Sequence, residues 1–171
     1  MVLHTKARLM ITDTFCIEEF STLDSEECIQ ILAKLSDEIF GVNTGNTRIR
    51  KRLEGKQSLI ILIAFTAHDR IPVGFKIGYN DTETVYHSWL GGVLPAYRGQ
   101  GIATALMEWQ HKRIARLGYT IVETRTRNRY KSMLILNIKH GFAIVGTIIS
   151  NNDVKIILRK QLAPLALGSE S

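Results

Sequence analysis

The chain has 171 residues, of which 45% are hydrophobic and 22% charged, and its formal net charge is +6. This length suits one domain, and this composition excludes a chain that is disordered throughout. No apolar run approaches the roughly 20 residues that span a bilayer, and residues 1–8 lack the apolar stretch of a signal peptide. We therefore expect a single cytoplasmic domain over residues 1–171, with its core at about 8–160, and no membrane partner.

The cysteines, histidines and charges exclude some classes of site. Cys16 and Cys28 form no Cys-x-x-Cys pair and the five histidines are scattered, so no metal-ligand spacing is visible. We expect no metal, and two buried free thiols. The positive net charge favours anionic partners, but nucleic acid would require a basic stripe interleaved with aromatic side chains. The densest basic clusters are typical of solvated faces, and a phosphate-bearing cofactor would use them equally well: Arg125, Arg127, Arg129 and Lys131, and Arg48, Arg50, Lys51 and Arg52.

The first half of the chain predicts two helices followed by an antiparallel meander. We expect a strand around Leu9–Ile17, then a helix from Asp24 to about Phe40 that Gly41 ends. A short basic helix follows at 47–54. Three strands joined by short turns come next, at 58–65, 73–79 and 85–93, and the first is apolar on both faces, as in a central strand.

The second half predicts a parallel strand pair and a final hairpin. A helix at about 101–117 carries one apolar stripe with Gln110 as its only polar member, and a strand at 119–126 follows. This order implies that 85–93 and 119–126 run in parallel with a right-handed crossover. Asn128 opens another helix, which is apolar nearly all round and so expected to be heavily buried. Strands at 142–150 and 154–159 complete an α/β domain around one mixed, mostly antiparallel sheet.

A glycine-rich basic turn lies between the strand at 85–93 and the helix that follows it. Its sequence is Val93-Leu94-Pro95-Ala96-Tyr97-Arg98-Gly99-Gln100-Gly101-Ile102-Ala103. The two glycines let the backbone approach a ligand, the helix points unpaired N–H groups at the turn, and Arg98 adds a positive charge. These features favour an anion, most naturally a phosphate or pyrophosphate. The alternative is an ordinary strand-to-helix turn that needs glycine only for its geometry.

Two nucleotide-binding motifs are excluded at this turn. A P-loop needs a lysine after its second glycine, and none follows Gly101. A dinucleotide fingerprint needs a third glycine where Thr104 stands, although Glu123 lies roughly at the distance of its ribose-binding acid. The antiparallel meander upstream also disagrees with the alternating strands and helices of that fold.

The turn fits a third motif, Arg/Gln-x-x-Gly-x-Gly/Ala, from Arg98 to Ala103, and it follows a Val-x-Pro strand end. It resembles the pyrophosphate-binding motif of the GNAT superfamily of acyl-CoA-dependent N-acetyltransferases. A second segment also resembles that family, with Asn128, Met133 and Asn137 ahead of Lys139-His140-Gly141-Phe142. The order of elements matches over about residues 8 to 160. The resemblance implies a splayed mixed sheet flanked by helices, in which strands 85–93 and 119–126 part at the active site.

By this resemblance the co-substrate is acetyl-CoA, and no metal is implied. Its pantetheine arm would pair with the backbone of strand 85–93, and its pyrophosphate would sit on the N–H groups of 98–104. A backbone N–H near Val93 or Leu94 would polarise the thioester carbonyl. The residues expected to bind this co-substrate are Val93, Leu94, Arg98, Gly99, Gln100, Gly101, Ile102, Ala103, Thr104, Asn128 and Met133.

The resemblance implies direct attack on the thioester by a primary amine, of a small molecule or a peptide, in a ternary complex. His87 lies six residues before Val93, where several members place a base carboxylate. The alternative is that His87 only packs beside Trp89, with which it shares a strand face. Asn137 stands where the family usually has the tyrosine that protonates the leaving thiolate. Because an asparagine can hydrogen-bond a thiolate but cannot protonate it, water or Tyr130 would supply the proton.

The acceptor and the function leave several alternatives open. We expect the acceptor site to be lined by Phe40, Glu54, Tyr79 and Trp89, although Glu54 also suits a solvated helix end and Trp89 the core. A catalytically weak acyl-CoA-binding or sensing module is the main alternative to an enzyme, and Asn137 motivates it. A nucleic-acid-binding protein is motivated by net charge alone. The terminal strands offer an edge for pairing, which suits a homodimer.

Overall fold

The computed structural model describes residues 7–20, 26–41, 45–150 and 153–163. These residues form eight strands, four α-helices and a short 3₁₀ helix at Pro95–Tyr97. The strands are β1 (Ala7–Ile11), β2 (Phe15–Phe20), β3 (Ile60–Thr66), β4 (Pro72–Asn80), β5 (Val85–Val93), β6 (Ile121–Arg127), β7 (Ala143–Ser150) and β8 (Asp153–Gln161). The helices are α1 (Glu26–Phe40), α2 (Gly45–Leu53), α3 (Ile102–Arg116) and α4 (Lys131–Lys139). None of the helices in this part of the chain is long and apolar enough to cross a membrane.

The described residues divide into two compact units, and β5 contributes to both. The first unit holds the residues up to Tyr79 together with Leu90–Gln110, and the second holds Asn80–Trp89 and the residues from His111 onward. The eight strands follow the order β1-β2-β3-β4-β5-β6-β8-β7. The predicted α/β class, with helices flanking a mixed and mostly antiparallel sheet, is therefore confirmed.

The first unit is built on an antiparallel run from β1 to β4. Every residue of β3 from Ile60 to Phe65 is buried, because β2 and β4 flank it and both of its faces are apolar. The end of β5 joins this unit, since the Leu94 N–H donates to the Val73 carbonyl at 2.9 Å. Cys16 and Cys28 are both free and buried, as predicted.

The single strand predicted at Leu9–Ile17 is instead two strands, β1 and β2, joined by a tight turn. The Thr12 N–H and the Thr12 hydroxyl both donate to the Phe15 carbonyl, each at 2.9 Å. Thr12 therefore reverses the chain within a run whose residue types alone suit one continuous strand.

The second unit contains the predicted parallel pair. Val85–Ser88 of β5 lies in register with Ile121–Thr124 of β6, and both β6 and β7 are antiparallel to β8. The strand β7 is last in the sheet order and exposes Ile144, Val145 and Ile149. Pairing of this edge with a second copy stays a prediction.

Helix α4 differs from the prediction at its start and in its burial. It begins at Lys131, because the Asn128 N–H still donates to Val154 of β8 at 3.0 Å and a turn follows. Ile135 is 52% and Ile138 49% exposed, whereas Asn137 is the buried residue of the helix. The expectation of a heavily buried helix was wrong, because Ile135 and Ile138 lie on a side of this short helix that faces solvent. The predicted helix start at Asp24 lies outside the described residues, as do residues 42–44, 151–152 and 164–171.

Candidate active site

The turn between β5 and α3 has the backbone of an anion cradle. Gly99 and Gly101 have φ of +77° and +81°, in the left-handed region where a side chain is strained. A Cβ built on either glycine would meet nothing within 4 Å, so the space beside them is open. The Ala105 N–H donates to the Gly101 carbonyl at 2.9 Å and closes the first turn of α3. The N–H groups of residues 102 and 103 precede that bond and have no acceptor inside the helix.

Arg98 is fixed at the same turn. Its Nε donates to the Val93 carbonyl oxygen at 3.1 Å, which leaves its terminal N–H groups for another acceptor. A guanidinium, backbone N–H groups and the positive end of the α3 dipole therefore meet on one short segment. This combination suits a phosphate or pyrophosphate.

The Leu94 N–H cannot be the donor to the thioester carbonyl while it is hydrogen-bonded to β4. Its N–H is engaged by the Val73 carbonyl, so it is not available to polarise a thioester carbonyl. Of the two N–H groups considered, that of Val93 remains the candidate. The sequence alone leaves this choice open, because the hydrogen bond depends on the register of β4.

The candidate base lies in the second unit. His87 is 6% exposed on β5, and its register partner across the parallel ladder is Glu123 of β6. The last register pair of this ladder is Ser88 with Thr124, and the Thr124 hydroxyl donates to the Ser88 carbonyl at 3.0 Å. His87 and Glu123 are therefore neighbours on one face of the sheet.

Glu123 is a feature that the sequence prediction missed. Its side chain is 3% exposed and accepts hydrogen bonds from Arg125 and from Arg159 of β8. Burial alone would raise the pKa of Glu123, but the hydrogen bonds and charges of the two arginines outweigh it and hold the pKa below its usual range. Strand alternation places Glu123 and Arg125 on one face, which was a usable signal. Arg159 is brought by β8, and nothing in the sequence indicates that register.

The residues of the second motif also lie in this unit. Asn137 is buried, and its backbone carbonyl accepts the N–H groups of His140 and Phe142, each at 3.1 Å. The Asn128 side-chain oxygen accepts a hydrogen bond from Lys131 at 2.5 Å, which occupies it locally. Met133 is half-buried in α4. Tyr130, the alternative acid, has its hydroxyl 3.3 Å from an Arg129 nitrogen.

The four predicted acceptor residues fall into different surroundings. Phe40 packs near β5, since a Cβ on Gly92 would lie 3.5 Å from its ring. Tyr79 is buried, with the Lys56 ammonium 4.8 Å from its ring centroid. Glu54 is exposed just after α2. These residues belong to the first unit, whereas Trp89 is half-buried on the segment of β5 that carries His87.

This arrangement is a glycine cradle at the start of a helix that follows one strand of a parallel pair, and it suits an anionic co-substrate. The family model of the acetyltransferase (GNAT) domain matches residues 59–144, half of the chain. The chain therefore belongs to the GNAT acetyltransferase family. No curated protein sequence matches it significantly.

Solved structures show the same fold at low sequence identity. The ribosomal-protein-S18-alanine N-acetyltransferase from Escherichia coli has a TM-score of 0.71 at 12% identity, covering 91% of this chain and 98% of its own. Ard1 from Thermoplasma volcanium has a TM-score of 0.71 at 16% identity, covering 88% of this chain and 99% of its own. A GNAT family acetyltransferase from Elizabethkingia anophelis with acetyl-CoA bound has a TM-score of 0.64 at 17% identity, covering 88% of this chain and 100% of its own.

Proposed function

We propose that this protein is an N-acetyltransferase that moves the acetyl group of acetyl-CoA to a primary amine of a small molecule or peptide. One observation carries the proposal: within the segment that matches the family, Gly99 and Gly101 hold left-handed backbone beside open space at the start of α3. A structural neighbour with acetyl-CoA bound supports the choice of co-substrate. Another neighbour is by its name an N-acetyltransferase for an alanine of a ribosomal protein, which supports an amine acceptor.

In this proposal the turn holds the co-substrate. Arg98 and the N–H groups of Gly99, Gly101 and Ile102 bind the pyrophosphate. The pantetheine arm is lined by Val93, Leu94, Asn128 and Met133. Acetyl-CoA supplies the thioester, whose carbonyl oxygen gains negative charge as the amine attacks. The Val93 N–H is our candidate donor to that oxygen.

The acceptor amine must lose a proton before or during attack, because its ammonium form has a pKa of about 10. His87 is our candidate for that base, directly or through water. The C–N bond forms as the C–S bond breaks, and the thiolate of CoA then takes a proton. Asn137 can donate a hydrogen bond to that sulfur, and the proton comes from water or Tyr130.

A binding or sensing module remains the second candidate, and Asn137 favours it. The usual acid of the family is absent at this position, and the buried amide cannot replace it. The two candidates share acetyl-CoA binding and differ only in turnover.

The test combines equilibrium binding of acetyl-CoA with thiol release over a panel of small amines and peptide N-termini. Binding together with amine-dependent thiol release, and acetylated product by mass spectrometry, supports the enzyme. Thiol release without amine serves as the hydrolysis control. Binding without turnover on any amine favours the module, and the absence of acetyl-CoA binding rejects both.

A further inference from the structure

Two arginines of the second unit are held by one buried carboxylate. The Arg125 Nε and Nη2 lie 3.0 and 2.9 Å from the Glu123 Oε1. The Arg159 Nε and Nη2 both lie 2.8 Å from the Glu123 Oε2. Each guanidinium thus uses one edge on a separate oxygen, so Glu123 fixes the orientation of both.

The other edges of these guanidinium groups are available. The Arg125 and Arg159 side chains are 45% and 48% exposed, whereas that of Glu123 is 3% exposed. In the part of the chain that the structure describes, neither arginine has a partner besides Glu123. Two arginines against one carboxylate leave a net charge of +1 and several N–H donors that face water. Fixed orientation reduces the entropy that each arginine loses on binding an oxyanion.

The register places this cluster beside the candidate base. His87 of β5, Glu123 of β6 and Arg159 of β8 are successive register partners across the sheet. Adjacent strands lie about 5 Å apart, so the Arg159 backbone lies within about 10 Å of the His87 backbone. Ala143 of β7 is the register partner of Arg159, so the neighbouring side chain in this row is a methyl group.

We propose that Arg125 and Arg159 bind an anionic group of the acceptor, which makes the substrate an amine that also carries a carboxylate or a phosphate. This inference rests on the proposed function. The buried Glu123 orients the two guanidinium groups, and their outer N–H donors bind the oxyanion as the amine reaches the side of His87. Charge-assisted hydrogen bonds of this kind give both affinity and orientation.

The experiment compares matched amines that differ in the anionic group: L-alanine with L-alaninamide, and phosphoethanolamine with ethanolamine. Each is measured by equilibrium binding to the purified protein with and without CoA, and by thiol release from acetyl-CoA. The variants are Arg125→Met and Arg159→Met, with the lysine replacements as milder versions. Arg127→Met is the matched control, because Arg127 shares the face of β6 but pairs with Asp153 instead. Circular dichroism and the unfolding midpoint establish that each variant is folded.

We expect the wild type to bind the anionic member of at least one pair about tenfold more tightly, as charge-assisted hydrogen bonds allow. Arg125→Met and Arg159→Met should each abolish most of that ratio, and Arg127→Met should leave it unchanged. A preference in the alanine pair indicates a carboxylate site, and a preference in the ethanolamine pair indicates a phosphate site.

Three results would overturn the proposal. These are a wild-type ratio near one for both pairs, an equal loss in Arg127→Met, and weaker acetyl-CoA binding in the arginine variants at an unchanged ratio. The last would assign the arginines to the co-substrate. Thiol release that fails for every amine rejects the proposed function separately, because the binding ratios still decide the role of the arginines.

Discussion

Arg98 closes the turn onto the strand before it, because its Nε donates to the carbonyl oxygen of Val93 at 3.1 Å. The bond joins the last residue of β5 to the residue ahead of Gly99. It holds the guanidinium beside the start of α3, where the helix dipole also favours an anion. A flexible surface arginine would lose more rotamer entropy on binding than one that is held in this way.

Replacing Arg98 by methionine should weaken acetyl-CoA binding about tenfold, because one charge-assisted contact to the pyrophosphate is lost. Arg98→Lys should recover only part of the loss, since a lysine keeps the charge but not the Nε–H that holds the side chain. Equilibrium binding measures both. Arg116→Met, at the other end of α3, is the control and should bind normally. Normal binding by Arg98→Met would remove this residue from the co-substrate site.

Gly101→Val should abolish detectable acetyl-CoA binding while the fold is kept. At φ of +81° a valine is strained by about 1–3 kcal/mol, and its relief would turn the backbone away from the cradle. The new side chain would also occupy the open space beside the turn.

Gly118→Val separates these effects from general strain. Gly118 has φ of +91° and open space around it, but it lies beyond the far end of α3. We expect a comparable fall in the unfolding midpoint and unchanged acetyl-CoA binding. Equal loss of binding in both variants would mean that Gly101 acts through stability alone.

The backbone of the turn between β5 and α3 can be predicted from the sequence because its geometry is local. Arg98, Gly99 and Gly101 act through their own backbone and charge, so their spacing carries the information. The Glu123 cluster depends instead on the register of β8, which places Arg159 opposite Glu123. The choice between the Val93 and Leu94 N–H groups was likewise open, because the partner of Leu94, Val73, is on another strand. Sequence patterns indicate the geometry of a single segment, but they do not indicate which residues of distant strands lie opposite each other.

Asn137→Ala should lower the turnover number by less than about a hundredfold, the low end for loss of a general acid. The reason is that an asparagine contributes only a hydrogen bond to the thiolate. Because Asn137 is buried, turnover must be expressed per folded enzyme. A loss of about four orders of magnitude in folded protein would contradict this prediction and assign the amide a central role.

Lys76→Met should stabilise the protein at pH 7. Lys76 is half-buried on β4 beside Gly91, and in the described residues it has no ion-pair partner. Burial lowers the pKa of Lys76 to about 8, so holding the ammonium charged costs up to about 3 kcal/mol below that pH. The cost disappears as the pH rises towards the unfolded pKa of about 10.4, because the folded lysine is then neutral.

Urea unfolding of wild type and Lys76→Met at pH 7 and pH 10 tests the direction of this pH dependence. The stabilisation should be largest at pH 7 and shrink at pH 10. Lys51→Met, which removes an exposed lysine of α2, should show no such trend. A stabilisation that is independent of pH would show that Lys76→Met acts through apolar burial rather than charge.

Glu123→Gln should destabilise the protein by about 1–3 kcal/mol at pH 7, because the two arginines lose a shared charged acceptor. The pKa of Glu123 is depressed in the folded state, so its stabilisation is present above the unfolded pKa of about 4.3 and is lost as the pH falls through the folded value. The difference in unfolding free energy between wild type and variant should therefore shrink at pH 3, as measured by urea unfolding at pH 7, 5 and 3.

Asp153→Asn is the comparison, since its pair with Arg127 is less buried than that of Glu123. It should destabilise less and respond more to added salt, because solvent screens exposed pairs more strongly. An Asp153→Asn effect as large as that of Glu123→Gln would contradict the view that burial makes Glu123 the organising carboxylate of this face.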